Sequence, residues 1–133
     1  VPTSAVRDEG TSYHYLKASD EISVDENIVH KITKCLEKCG YSYITGKTWT
    51  TDAIYRETES VIAERKEAGC LCVEMECAAA LAVTKFRGIP FAQFLYGADN
   101  LDSLEWEPRD LTEYGLSNAE KYLALAFECV FEL

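Results

Sequence analysis

Apolar residues recur along the chain with two different periods. Short runs rich in β-branched and aromatic residues predict strands, at residues 1–6, 41–49, 70–75 and 90–96. Helical spacing of apolar residues, or the charged composition of a surface helix, predicts helices at residues 28–39, 58–68, 77–86 and 116–131. Strands that alternate with helices predict an α/β fold in which a mixed, mostly parallel sheet is flanked by helices.

Two capping boxes predict where helices begin. Ser23 and Glu26 form the first box, and Ser117 and Glu120 form the second. The helix behind the second box has one apolar face, which we expect to pack in the core. Its members are Leu116, Ala119, Tyr122, Leu123, Ala126, Phe127, Val130 and Phe131.

The most polar and least periodic segments follow the predicted strands. In parallel sheets, ligands bind beyond the carboxyl ends of the strands. We therefore expect a site built from the segments that follow each strand, which are residues 7–15, 51–56, 75–76 and 97–102.

Composition excludes several classes of protein. The chain has 133 residues, which suits one domain, and its formal net charge of −10 gives no basic footprint for nucleic acid. No apolar run approaches the roughly 20 residues of a membrane span. The first residues show no basic-then-apolar signal region. These features favour an ordinary globular domain that binds neither nucleic acid nor membrane.

The 6 cysteines permit disulfides or a metal site but require neither. Cys35 and Cys39 could supply one pair of zinc ligands, but Cys70 and Cys72 have the wrong spacing for a second pair. The alternative is a set of reduced thiols that are mostly buried as small hydrophobic groups. Reduced thiols fit a cytoplasmic protein better than a secreted one, and we expect no metal site.

Carboxylates follow the third predicted strand. Glu74 and Glu76 flank Met75 at the point where this strand ends and an alanine-rich helix begins. A carboxylate at this position either stabilises the positive end of the helix dipole or accepts hydrogen bonds from the hydroxyls of a ligand. Physical chemistry alone leaves both interpretations open.

Two further strand ends offer polar groups. Asp99 follows the apolar run 90–96, where a partly desolvated acid is suited to donate a proton, although an Asp-Asn turn is the structural alternative. Ile54, Tyr55 and Arg56 combine apolar, aromatic and polar groups, which suits a planar ring that needs stacking and hydrogen bonds. The alternative there is a capped loop whose aromatic residues pack in the core.

Taken together, these groups resemble the nucleoside phosphorylase family. That family includes hexameric purine nucleoside phosphorylases, uridine phosphorylases and methylthioadenosine/S-adenosylhomocysteine nucleosidases. The most specific match is residues 73–76 followed by Ala78 and Ala79. Asp99 lies 23 residues after Glu76, a separation that is similar in the purine enzymes and the nucleosidases. Residues 4–12 and 51–55 also resemble family segments, in the same order.

The resemblance implies a partial phosphorylase-type fold. Residues 1–133 then correspond to the carboxyl-terminal part of a nucleoside phosphorylase domain, and the amino-terminal phosphate-binding half is absent from the chain. The resemblance further implies a cytoplasmic homo-oligomer whose partners are a nucleoside and phosphate. Inorganic phosphate is then a co-substrate, and no cofactor is expected.

The resemblance also implies a role for each candidate residue. Met75 packs against the sugar, Glu76 accepts hydrogen bonds from its 2′ and 3′ hydroxyls, and Glu74 supports that corner. Asp99 protonates the departing base, at N7 if the base is a purine. Ile54 and Tyr55 line the base pocket. Arg56 and Glu57 either contact the edge of the base or begin the next helix.

Three functions stay open from the sequence. The first is a phosphorylase, with purines preferred over uridine because the acid at position 99 can donate to N7. The second is a nucleosidase of the methylthioadenosine/S-adenosylhomocysteine type, in which water replaces phosphate as the nucleophile. The third is a non-catalytic piece that folds but cannot turn over.

Overall fold

A computed structural model describes residues 1–100, 107–108 and 118–133. Within these residues, 4 strands form one sheet with the spatial order β2-β1-β3-β4. The strands are β1 Pro2–Asp8, β2 Glu21–Ser23, β3 Gly46–Thr51 and β4 Cys70–Glu74. Strands β1, β3 and β4 run parallel, and β2 is antiparallel to β1. The mixed, mostly parallel sheet that the sequence predicts is confirmed.

Helices flank this sheet. They are α1 Glu26–Lys38, α2 Glu59–Glu67, α3 Cys77–Arg87 and α4 Ala119–Val130. Two short 3₁₀ helices, Thr11–His14 and Ile54–Arg56, follow β1 and β3. In the described part of the chain, no helix is both long and apolar enough to cross a bilayer.

The core consists of two apolar clusters. The first packs α3 against the sheet, and its buried members are Ala5, Ile22, Val24, Cys77, Ala78, Leu81 and Ala82. The second joins α1 to α4, and its buried members are Ile32, Cys35, Leu36, Leu125 and Cys129. The first cluster fixes α3 on β1, so the turn that leads into α3 is anchored at the carboxyl edge of the sheet.

The first predicted capping box is wrong. Ser23 ends β2, and the amide of Val24 still donates to the carbonyl of Thr3 at 2.9 Å, which keeps the chain in the sheet beyond Ser23. Asp25 caps α1 instead, because its carboxylate accepts from the amide of Asn27 at 2.8 Å. The short strand β2 has one buried apolar residue, Ile22, so its sequence carries too little period-two signal to predict it.

The strand predicted at residues 41–49 begins later, at Gly46. The amide of Tyr41 donates to the carbonyl of Leu36 at 2.9 Å, which ties this residue to the end of α1. The strand predicted at residues 90–96 does not join the sheet. Phe91, Ala92 and Phe94 are half-buried against the two clusters, and an apolar run alone cannot distinguish such a segment from a paired strand.

The buried side of α4 also differs from the prediction. Leu125 and Cys129 face α1 and are buried, whereas Leu123, Phe127 and Val130 are about 60% exposed. The helix begins after Asn118, which makes no side-chain capping bond. Ser117 of the second capping box and Leu116 of the predicted face lie outside the described residues, as do residues 101 and 102 of the predicted site segment 97–102.

Candidate functional site

The turn between β4 and α3 is held by the side chain of Glu74. One carboxylate oxygen accepts from the amides of Glu76 at 2.8 Å and Cys77 at 2.6 Å. The other accepts from the hydroxyl of Thr50 at 2.5 Å. Glu74 therefore supplies the capping bonds of α3 from the preceding strand, since the N-cap residue Glu76 makes no side-chain capping bond.

Thr50 completes this arrangement from the neighbouring strand. Its hydroxyl donates to Glu74 and also accepts from the amide of Ala78 at 3.0 Å, so both capacities of the hydroxyl are used. The parallel register sets Thr50 beside Glu74, and Thr50 is fully buried. The first turn of α3 is thus fixed by two side chains that lie on adjacent strands.

Cys77 is the first residue of α3 and is not poised as a nucleophile. Burial raises the pKa of its thiol to about 12, and the nearby charge of Glu74 adds to the increase. A thiol with such a pKa stays protonated at neutral pH. Cys77 therefore has a structural place in the core rather than a nucleophilic one.

Met75 and Glu76 point outward from the same turn. Met75 is 44% exposed and Glu76 is exposed. One carboxylate oxygen of Glu76 accepts from the amide of Met75 at 3.2 Å, and this bond leaves the other oxygen for a ligand. The two carboxylates of the turn therefore differ in their surroundings. Glu74 is hydrogen-bonded to the backbone, and Glu76 is exposed to solvent.

The segments after β1 and β3 are joined at the same edge of the sheet. The carboxylate of Asp52 accepts from the amide of Gly10 at 3.0 Å. The carboxylate of Asp8 accepts from the indole N–H of Trp49 at 2.9 Å and pairs with Arg65 of α2 at 3.3 Å. The polar strand ends that the sequence predicted to converge therefore meet here for β1 and β3.

A cleft of ≈ 470 Å³ runs along β3 and β4 to residues 97–100. Its volume lies in the roughly 300–1,000 Å³ range of small-molecule pockets. Glu74 and Asp99 both line the cleft, together with Thr48, Trp49 and Asn100. Two carboxylates that are distant in sequence thus share one cleft, which runs along β3 and β4 from their amino ends to Glu74.

Glu57 lies close enough to Asp99 for their charges to interact. Burial raises the pKa of Glu57, and the charge of Asp99 raises it further. Both side chains are half-buried. This pair brings the segment after β3 next to the segment that follows α3, and the contact between these two particular acids was not predicted from the sequence.

The residues expected at the base pocket are less well placed. Ile54, Tyr55 and Arg56 form the 3₁₀ helix after β3, and Tyr55 is 94% exposed. None of the three lines the cleft. Their assignment to a base pocket, like the sugar-binding assignment of Met75 and Glu76, stays a prediction.

Thr48 and Thr50 were not predicted as site residues. They are nearly inaccessible to solvent, and their spacing of two puts them on the same face of β3. Two threonines at alternate positions of a buried strand are the signal that could have indicated a polar contact with Glu74.

The cysteines do not assemble a metal site among the described residues. All 6 thiols are free, and Cys35, Cys77 and Cys129 are buried. Burial raises the pKa of Cys35, and a hydrogen bond with the thiol of Cys129 raises it further. The described ranges contain no group of three or more histidine, cysteine or acidic side chains that could hold a metal ion.

Two solved structures share this fold. The AMP nucleosidase from Bacteroides thetaiotaomicron VPI-5482 superposes with a TM-score of 0.70 at 22% identity, over 97% of this chain and 49% of that chain. The P knowlesi homolog of P falciparum PNP gives a TM-score of 0.59 at 18% identity, over 67% of this chain and 38% of that chain. The chain thus spans about half the length, or less, of the structures it matches.

The sequence itself matches a known family over nearly its whole length. The profile of the Phosphorylase superfamily covers residues 1–130. This match includes all the strands and helices described above and the residues that line the cleft. The chain therefore belongs to the Phosphorylase superfamily.

Proposed function

We propose that this chain carries the sugar and base walls of an enzyme that cleaves the N-glycosidic bond of a nucleoside. Membership of the Phosphorylase superfamily supports a nucleoside-processing role. The observation that carries the proposal is the shared cleft, which Glu74 and residues 97–100, with Asp99 among them, both line. Residues 1–133 act in it as the carboxyl-terminal part of the catalytic domain.

In this mechanism the two walls have different tasks. Glu74 and Thr50 fix the turn, so that Met75 contacts the sugar and Glu76 accepts from its 2′ and 3′ hydroxyls. Cleavage develops positive charge on the sugar and negative charge on the base, as in glycoside cleavage generally. Asp99 protonates the departing base, and general acid catalysis of this kind contributes roughly 10²–10⁴-fold.

We propose phosphate as the nucleophile and a purine as the preferred base. An acid at the base wall donates to N7, which a purine has and uracil lacks. The free base and ribose 1-phosphate are then the products. A nucleosidase would use the same two walls with water, and its product would be free ribose.

The test is a product analysis with the polypeptide encoded by the complete reading frame that contains these residues. Inosine with phosphate should give hypoxanthine and ribose 1-phosphate, and omission of phosphate should abolish turnover. Ribose formed at the same rate without phosphate would assign the nucleosidase reaction. No cleavage of inosine, adenosine or uridine under either condition would reject the proposal.

The 133-residue chain assayed alone provides a second test. The chain spans 49% of the AMP nucleosidase that it resembles, and we expect it to release no base above background. Robust turnover by the purified chain would show that the described cleft suffices for phosphorolysis.

A further inference from the structure

Glu57 is a half-buried acid whose side chain is left without a hydrogen-bond partner. It ends the 3₁₀ helix Ile54–Arg56, where its backbone amide donates to the carbonyl of Ile54 at 3.2 Å. Its carboxyl group makes no hydrogen bond and no ion pair with any residue in the described ranges. Polar groups taken out of water are normally hydrogen-bonded, and an exception calls for a functional explanation.

The charged group that acts on Glu57 is a second acid, Asp99. Asp99 is half-buried and lines the cleft together with Asn100. Two carboxyl groups that approach each other repel when both are ionised, so this arrangement does not stabilise the fold. Acids that are perturbed by burial and by a specific charged neighbour are typical of functional sites. Glu57 therefore belongs with Asp99 on the base wall of the proposed site.

A purine presents two adjacent polar positions on the edge that carries N7. N7 is an acceptor in every purine, whereas the neighbouring substituent on C6 is an amino donor in adenine and an oxo acceptor in guanine. Two neighbouring acids match the adenine edge, because one can donate a proton to N7 while the other accepts from the amino group. On a 6-oxopurine, the second acid would bring a carboxylate oxygen against the acceptor O6.

We propose that Glu57 selects 6-aminopurine nucleosides by accepting a hydrogen bond from the amino group on C6 while Asp99 donates its proton to N7. This inference rests on the proposed function and adds the class of purine that the same site prefers. When the N-glycosidic bond breaks, its electron pair moves to the base and the proton of Asp99 moves to N7, so the base leaves neutral. Glu57 transfers no proton and acts on specificity alone.

Substrate ratios of the complete enzyme test this proposal. The values of kcat/KM for adenosine, inosine and purine riboside, which has no substituent on C6, are measured before and after Glu57→Gln. The unsubstituted enzyme should prefer adenosine to inosine. The variant should lower this ratio by roughly 10-fold or more, because it loses a hydrogen bond to a charged group and gains an amide that can donate to O6. Purine riboside should be cleaved almost equally by both proteins.

Glu59→Gln is the matched control, because it removes the same charge two residues along the chain, at an exposed position in the first turn of α2. Its adenosine-to-inosine ratio should equal that of the unsubstituted enzyme, and an equal fall in both variants would overturn the proposal. An unchanged ratio in Glu57→Gln, or an equal loss on all three substrates, would also overturn it and leave the proposed function standing. If the unsubstituted enzyme cleaves none of the three, the proposed function is rejected and this inference with it.

Discussion

The two walls of the cleft differ in how their carboxylates are used. At the β4–α3 turn, the carboxylate of Glu74 accepts hydrogen bonds from two backbone amides and from the hydroxyl of Thr50. On the facing wall, Asp99 is half-buried and lies next to the charge of Glu57. The carboxylate of Glu74 stabilises the fold. The carboxylate of Asp99 lies beside a second acid, and this proximity of like charges lowers the stability of the folded state.

The contrast separates positioning from chemistry. A carboxylate that caps a helix and bonds a buried hydroxyl cannot easily exchange those partners for a ligand. Two acids brought together in a half-buried place are typical of a functional site, because like charges there favour one bound proton. We therefore expect changes to the bonded pair Glu74 and Thr50 to act on stability, and changes to Asp99 to act on catalysis.

Glu76 provides the largest expected effect at the turn. Its carboxylate is exposed and, among the described residues, makes one hydrogen bond, which it accepts from the Met75 amide. Glu76→Gln should lower kcat/KM by about 10²-fold in the complete enzyme, since hydrogen bonds to charged groups contribute about 1.5–3 kcal/mol. The melting temperature should hardly change. Steady-state kinetics that match the unsubstituted enzyme would remove Glu76 from the sugar site.

Thr50→Val should have the largest effect on stability. It leaves the Ala78 amide without an acceptor and removes the hydroxyl bond to Glu74. A buried unsatisfied donor costs about 1–3 kcal/mol, and urea unfolding measures the loss. Thr48→Val is the matched control, because the Thr48 hydroxyl lies 3.3 Å from the Cys72 carbonyl and 3.4 Å from Glu74 and makes weaker bonds. Equal losses for both variants would contradict the role given to Thr50.

Gly46→Ala should have a smaller effect at the start of β3. A Cβ at this position would lie 2.3 Å from Cδ1 of Leu71. Leu71 is 57% exposed and can rotate away, so the free energy of unfolding should fall by about 1 kcal/mol, at the low end for overpacking. The double variant with Leu71→Ala removes the clash and should recover most of the loss. A double variant that is no more stable than Gly46→Ala would place the cost in the backbone instead.

Glu57→Gln should have the smallest effect of these variants, a change in how the free energy of unfolding depends on pH. Its folded pKa is raised above the ordinary value of 4.5, first by burial and then by Asp99. The folded state therefore holds the proton more tightly, and stability falls as the pH rises from the unfolded pKa through the folded one. Glu57→Gln should remove this fall, so the variant gains stability at neutral pH relative to acid pH. Parallel unfolding curves of both proteins across that range would contradict the pairing with Asp99.

Local patterns predicted much of the fold. The helices α1, α2 and α3 and the strands β1 and β4 each lie close to their predicted bounds. Apolar spacing predicted α1, whereas charged composition predicted α2. The orientation of α4 could not be predicted, because it is apolar on two sides and only packing on α1 selects Leu125 and Cys129 over Leu123 and Phe127. The strand predicted at residues 90–96 was wrong for a related reason, since a strand needs a partner that its own sequence does not specify.

The candidate site divides in the same way. Glu74 lies at the end of a strand, as the rule for parallel sheets predicts, whereas Asp99 shares its cleft although residues 90–96 join no strand of the described sheet. The bond from Thr50 to Glu74 depends on the parallel register of β3 and β4. The approach of Glu57 to Asp99 depends on how two loops fold back. The local sequence pattern of a single segment predicts neither of these two contacts.

The most direct test of the central claim compares two substrates of the Asp99→Asn variant in the complete enzyme. A proton donor matters most when the leaving group is poor. We predict that the variant loses roughly 10²-fold or more in kcat/KM for inosine, within the range of general acid catalysis. It should retain most of its activity on 7-methylguanosine, whose base departs without a proton at N7. An equal loss on both substrates would contradict the account and assign Asp99 to the shape of the loop.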